Sequence, residues 1–136
     1  MEFAFTEEQQ MIRETAAQFL ADNCDSAAVR RAMATDTGFE PGMWQRIAGE
    51  MCWTAIHIPE EHGGLGLGYV ELVAVMEQMG RYLLCAPYFS SVCLGANALL
   101  VAGNEAQKAE YLPRIADGSL RATLAWCDAS GRWDAD

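Results

Sequence analysis

The sequence predicts an all-α domain of about six helices, carrying the first strand of a following β-domain at its C-terminus. Three observations lead there. Apolar residues recur at helical spacing in separate segments between residues 6 and 118, glycine and proline punctuate the joints, and only Ala122 to Trp126 has a strand's β-branched and aromatic character. A chain of 136 residues supports one real core, because folding at this size buries roughly 70% of the surface that the unfolded chain exposes.

Thr6 with Gln9 three residues on is a capping-box signature, and Glu7 and Glu8 sit where the helix dipole favours negative charge. The first helix should run to about Asn23 with Met11, Ile12, Ala16, Phe19 and Leu20 on one face, and Phe3 and Phe5 packed beneath it. Ser26 to Ala34 carries Val29 and Met33 four apart, enough for a short second helix before the break at Thr35 to Gly38. Pro41 suits the first turn of a third, whose buried stripe is Trp44, Ile47, Ala48 and Met51. After the apolar run Trp53 to Ile58, the stretch Pro59 to Gly68 is rich in glycine and must be a loop.

Tyr69 to Gly80 reads as a fourth helix, largely buried, since Val70, Val73 and Met76 are joined by Leu72, Val75 and Met79. A fifth begins near Pro87 and runs to Ala102, with Gly103 as its stop. Asn104 caps a sixth, which turns Tyr111, Leu112 and Ile115 inward before Gly118. The domain boundary falls at about residue 120, leaving 1–120 as the helical domain and 121–136 as the start of a β-domain. The strand Ala122 to Trp126 has no partner in the chain, and a lone strand leaves its backbone groups unpaired.

Charge narrows the function classes. A net charge of −10 repels phosphate backbones and anionic lipid, which counts against nucleic-acid and membrane-surface partners. The adjacent basic pair, Arg30 and Arg31, reads as a solvated helix face. The longest apolar stretch, Val92 to Ala102, is too short to span a bilayer and contains Gly95 and Asn97. Glu7 and Glu8 give the N-terminus the wrong charge for a secretory or transit peptide. Five cysteines form no CxxC pair, and neither His57 nor His62 stands in a metal-ligand spacing, so free thiols, no metal and a cytoplasmic location are expected.

The run Glu60-Glu61-His62-Gly63-Gly64-Leu65-Gly66-Leu67-Gly68 invites a phosphate-loop reading, but no Lys-Ser/Thr pair ends it and GxGxxG spacing is not met. Two carboxylates at its start would oppose a phosphate, so it reads as a structural connection. Glu60 and Glu61 read as solvated, and Glu77 as the partner of Arg81 at i,i+4 rather than a buried base. His57 reads as a core or boundary histidine, since no nucleophile stands beside it. Cys127 reads as an ordinary packed thiol, because Asp128 disfavours its thiolate. No catalytic residue is assigned.

Three ordered stretches carry a resemblance: Ile58-Pro59-Glu60-Glu61-His62-Gly63-Gly64-Leu65-Gly66-Leu67, then Glu77-Gln78-Met79-Gly80-Arg81, then Ala102 through Ile115 with Gly103-Asn104-Glu105 and Tyr111-Leu112-Pro113-Arg114. Together they resemble the acyl-CoA dehydrogenase superfamily across essentially the whole chain. The resemblance implies an FAD-dependent enzyme that desaturates acyl-CoA thioesters between Cα and Cβ, built as a helical domain, a β-barrel domain and a C-terminal helical bundle. Only the first part would be present, without the glutamate base, so this chain alone is expected to be inactive. The superfamily also implies homo- or hetero-oligomers formed through the C-terminal bundle, and a place in fatty acid or sterol catabolism.

Residue by residue, the resemblance implies that the helix from Pro87 closes the deep end of an acyl pocket, with Tyr88, Phe89, Ser91 and Val92 lining it. It also implies that Leu124, Trp126 and Cys127 meet the flavin. Where many members have Leu-Thr-Glu-Pro-Gly-Ala-Gly-Ser, this chain has Trp126-Cys127-Asp128-Ala129-Ser130-Gly131-Arg132-Trp133. The missing threonine hydroxyl removes a donor aimed at the flavin, which counts against tight FAD binding. The departure suggests a divergent branch acting on bulky sterol-derived acyl-CoAs, and a Pro87 that shortens the helix agrees with a wider pocket. The alternative is a non-catalytic helical interaction or acyl-binding module, or the partner subunit of a heteromeric dehydrogenase.

Overall fold

In a computed structural model, which describes residues 4–127 and 129–132, the chain is all-helical. Six helices follow in order: α1 (Glu7–Asn23), α2 (Ser26–Met33), α3 (Pro41–Gly49), α4 (Tyr69–Arg81), α5 and α6 (Glu105–Ala116). α5 opens as a π-helix, Phe89–Ala96, and continues as an α-helix, Asn97–Ala102. Short 3-10 turns cover Trp53–Ala55 and Glu60–His62.

The termini follow the capping signals. Thr6 and Gln9 form the expected capping box on α1, Asn104 and Gln107 form another on α6, and Pro41 opens α3. Gln9 does more than cap. Its amide donates to Glu71 Oε1 at 2.8 Å, while Glu71 Oε2 accepts the Gly68 N–H at 2.9 Å, so the starts of α1 and α4 are bonded together. The Gln9 hydrogen bond is the main cause holding the Glu71 carboxyl below its ordinary pKa.

α1 and α4 run side by side, with Gln9 by Glu71 and Arg13 by Glu77. Glu77 is therefore paired with Arg13, which reaches both carboxylate oxygens at 3.0 Å, and not with Arg81 as its spacing suggests. The bidentate fork from α1 wins on geometry. Arg81 instead lies over the Tyr82 ring at 5.4 Å.

α4 is less buried than its pattern suggests. Leu72, Val75 and Met79 face the core, whereas Tyr69, Val70 and Val73 are exposed, Val73 at 58%. Two apolar stripes share this helix, and α1 covers one of them. At the N-terminus Phe5 is exposed, as is Met11, while Ala16 and Leu20 fill the core; Phe3 lies outside the described residues.

The strand expected at Ala122 to Trp126 is absent among the described residues. Residues 120–127 form neither helix nor strand. A strand needs a ladder partner, and the Ala122 N–H bonds the Ser91 hydroxyl instead, at 3.2 Å.

All six residues Trp53, Thr54, Ala55, Ile56, His57 and Ile58 are buried, although the segment is not a regular helix. Its carbonyls are met from outside. Leu65, Leu67 and Gly66 donate backbone N–H groups to Ala55, Ile56 and Ile58 at 2.9 Å each, and Tyr88 donates its hydroxyl to Trp53 O at 2.9 Å. Thr54 in turn donates to Ala116 O at 2.6 Å. The glycine-rich run is the structural connection that its sequence suggests. Gly64 lies so close to Ile58 that a Cβ there would stand 1.8 Å from the Ile58 carbonyl oxygen.

His57 is buried beside Tyr69, and its Nε2 lies 3.1 Å from Asn97 Oδ1. Asn97 spends its amide N–H on Cys93 O at 2.9 Å, so Oδ1 is an acceptor and His57 Nε2 carries the proton. The other ring nitrogen, Nδ1, is buried without a partner. Burial lowers the His57 pKa below its ordinary 6.5, against the opposing hydrogen bond to Asn97.

Two predictions follow from the packing. Gly64→Ala must push two backbones apart and should lower unfolding free energy by about 2–3 kcal/mol, read by urea denaturation. A depressed histidine pKa means that the unfolded chain binds the proton more readily. The His57 contribution is therefore fully present above pH 6.5 and lost as pH falls below it. His57→Gln should flatten the slope of stability between pH 7 and 5, and an unchanged slope would remove His57 from that role.

Candidate functional site

The start of α5 is built from three side chains with separate tasks. Tyr88 is buried, and burial is the main cause pushing its phenol far above the ordinary range. Ser90 donates to Pro87 O at 3.1 Å, tightening the first turn, and Asn97 satisfies Cys93 O where the π-helix ends. Those two side-chain bonds serve carbonyls at both ends of the π segment, where the α-helical ladder changes register.

A hollow of about 280 Å³ opens between this start and the end of α4. Its walls are Met76, Met79, Gly80, Leu83, Leu84, Ala86, Tyr88 and Phe89, and none is charged. Cys93 lies behind it with its sulfur 3.3 Å from that of Met76, and burial pushes its thiol pKa up. Two thioethers on one wall make an apolar surface that adapts to irregular shapes. Gly80 is exposed beside the hollow, and nothing lies within 4 Å of where a Cβ would stand, so a side chain there would meet open space.

Of the four residues expected to line an acyl pocket, Tyr88 and Phe89 border this hollow, Phe89 being 58% exposed. Ser91 and Val92 are fully buried and turned elsewhere. Val92 joins the main core cluster with Trp53, Leu72 and Val75. Ser91 holds the Ala122 N–H.

Leu124, Trp126 and Cys127 all lie exposed on the segment after Ala122, Trp126 at 51%. They are not in the hollow. Leu124 and Trp126 present apolar surface of the kind a flat heteroaromatic ring covers, and neither carries a hydroxyl. All five cysteines are free.

Sequence reasoning missed what fixes the segment after α6. Trp44 Nε1 donates to Gly118 O at 2.8 Å, and Gly118 takes a left-handed φ of 77°. Gly95 on α5 is then so close that a Cβ would meet the Ala122 Cβ at 2.6 Å. The available signal was a helix placing Ser91 and Gly95 four residues apart, hence on one face.

Comparison with known proteins gives this architecture a context. Residues 6–119 match the family model for the acyl-CoA dehydrogenase N-terminal domain. The chain is 37% identical over 118 residues to the acyl-CoA dehydrogenase IpdE2 of Mycobacterium tuberculosis (strain ATCC 25618 / H37Rv), which covers 87% of this chain and 36% of that one. It is 32% identical over 133 residues to the mitochondrial isovaleryl-CoA dehydrogenase of Pongo abelii, covering 95% and 31%.

Among solved structures, the ChsE4-ChsE5 complex from Mycobacterium tuberculosis aligns with a TM-score of 0.86 at 26% identity, over 97% of this chain and 36% of that one. A variant of the Tcur3481-Tcur3483 steroid ACAD aligns at 0.78 and 27%, over 86% and 32%. The chain spans about a third of the length of these relatives. With the capped helices in order and a family match reaching from the first cap to the turn after α6, the chain belongs to the acyl-CoA dehydrogenase family, in its N-terminal domain.

Proposed function

We propose that this chain is the N-terminal helical part, residues 1–120, of an FAD-dependent acyl-CoA dehydrogenase, with 121–136 opening its β-domain. The observation that carries the reading is the uncharged hollow at the start of α5, in a chain of this family. The hollow takes the far end of the acyl group, while Leu124, Trp126 and Cys127 flank the flavin. Ser91 and Val92 support the pocket helix from behind. The catalytic base belongs to a part of the enzyme outside this chain, which alone is inactive. Leu124, Trp126 and Cys127 would lie against the flavin, and FAD there would supply a hydride acceptor for the carbon β to the thioester.

The residues here act by binding and by excluding water. The sulfur-lined wall and the lack of a side chain at Gly80 suit a broad, ring-bearing acyl group, and the alignment to a steroid ACAD supports that finer reading. The enzyme works in the cytoplasm, on the same reading. None of the described helices is long and apolar enough to cross a membrane.

A second reading is favoured by one observation, the lack of a threonine hydroxyl at Trp126-Cys127: a non-catalytic partner subunit of a heteromeric dehydrogenase. The alignment to the ChsE4-ChsE5 complex agrees with hetero-oligomers. Colour separates the readings. The flavin-carrying enzyme is yellow and oxidises acyl-CoA, whereas a full-length but colourless and inactive protein supports the partner-subunit reading.

For the enzyme, Gly80→Leu should fill the hollow and lower kcat/KM for a polycyclic acyl-CoA by about tenfold or more. Activity on a short straight-chain acyl-CoA should change little. Equal losses on both substrates would overturn the placement of the acyl end, and a clear preference of the unmodified enzyme for straight chains would overturn the ring-bearing class.

A further inference from the structure

Ser91 is fully buried on the inner side of α5, one turn before Gly95. Its hydroxyl oxygen accepts the Ala122 N–H at 3.2 Å. Gly95 lies against the same residue, so close that any side chain there would strike Ala122 Cβ at 2.6 Å and the Ala122 carbonyl carbon at 3.1 Å. One acceptor and one gap, on the same helix face, therefore act on one residue of the segment leaving α6. Upstream, Leu120 N–H bonds Arg114 O at 2.8 Å and Trp44 holds Gly118 O. Beyond Ala122, residues 123–127 are exposed.

We infer that Ser91, with the gap at Gly95, is a positioning residue: it sets where the segment carrying Leu124, Trp126 and Cys127 leaves the helical domain. The inference rests on the proposed reading, in which that segment flanks the flavin. A serine hydroxyl has acceptor capacity besides its one O–H, so its oxygen can serve a second segment whatever its hydrogen does. Here the oxygen accepts from another segment at 3.2 Å, within hydrogen-bond range, and the close approach at Gly95 holds the same residue. The same helix carries Phe89 at the proposed acyl hollow. The acyl end and the flavin-facing segment are thus referenced to one rigid element rather than to each other.

Two measurements test this. In the 136-residue chain, hydrogen exchange compares the unmodified protein with Ser91→Ala and Ser91→Thr, the latter keeping the acceptor. Ser91→Ala should raise exchange of the Ala122 amide about fivefold, leaving α1 and α4 amides unchanged, and Ser91→Thr should restore protection. In the flavin-carrying full-length protein, Ser91→Ala should shift the visible flavin spectrum and its reduction potential, again with return in Ser91→Thr.

Unchanged exchange at Ala122 overturns the inference, as does raised exchange with an unmoved flavin spectrum and potential. Exchange that rises equally throughout the chain also overturns it, because the serine then serves only general stability. A full-length protein that holds no flavin overturns the reading beneath the inference, and it is told apart by the unmodified protein alone.

Discussion

Six consecutive buried residues without a regular helix, Trp53 to Ile58, impose the constraint on which the other parts depend. A buried backbone must find partners for its polar groups, and beyond the two bonds that this segment makes within itself, Ile56 N–H to Trp53 O and Ile58 N–H to Ala55 O, it needs partners from outside. They come from the glycine-rich loop, from Tyr88 at the start of α5 and, through Thr54, from the end of α6. Three distant parts of the sequence are thereby held to one line.

That line also divides the core. Trp53 and Ile56 belong to the cluster shared by α1, α3, α4 and α5, and Ala55 and Ile58 to the one formed with α5 and α6. The segment presents alternate sides to two apolar groups, so it works as a central layer between helices. Gly64 is then required by close approach to Ile58 rather than by an anion. Tyr88 is likewise a buried donor to this layer, and its phenol forms the back of the hollow that Phe89 opens.

Helix positions were legible because their signals are local. Thr6 with Gln9 and Asn104 announce termini through bonds made within four residues, and Pro41 announces one through its fixed φ and missing N–H. Pairings that need tertiary geometry were not legible. Glu77 has Arg81 at helical spacing, yet Arg13 on α1 takes it, and no periodicity contains that choice. The two stripes of α4 are equally apolar in sequence, and only the arrival of α1 decides which is inside. For the candidate site, the order of motifs pointed to the helix from Pro87 and to the segment after Ala122. Spacing alone puts Phe89 and Ser91, two residues apart, on different sides of the helix, but it does not say which side meets the hollow and which meets Ala122; that takes the tertiary packing.

The departure at Trp126-Cys127 changes what the helical domain must supply. On the proposed reading, a threonine hydroxyl would correct small errors in how the flavin-facing segment lies, since a hydroxyl rotates to suit its partner. Leucine, tryptophan and cysteine at 124, 126 and 127 offer mainly apolar contact, and the indole N–H of Trp126 lies at a fixed place on a rigid ring and cannot rotate as a hydroxyl does. Contact of this kind is worth most when the surface is already in place. The domain meets that need upstream, where Gly118 is held by Trp44 and Ala122 by Ser91 against the gap at Gly95. On that reading, the backbone anchors before residue 123 supply orientation that a rotating hydroxyl would otherwise add beyond it.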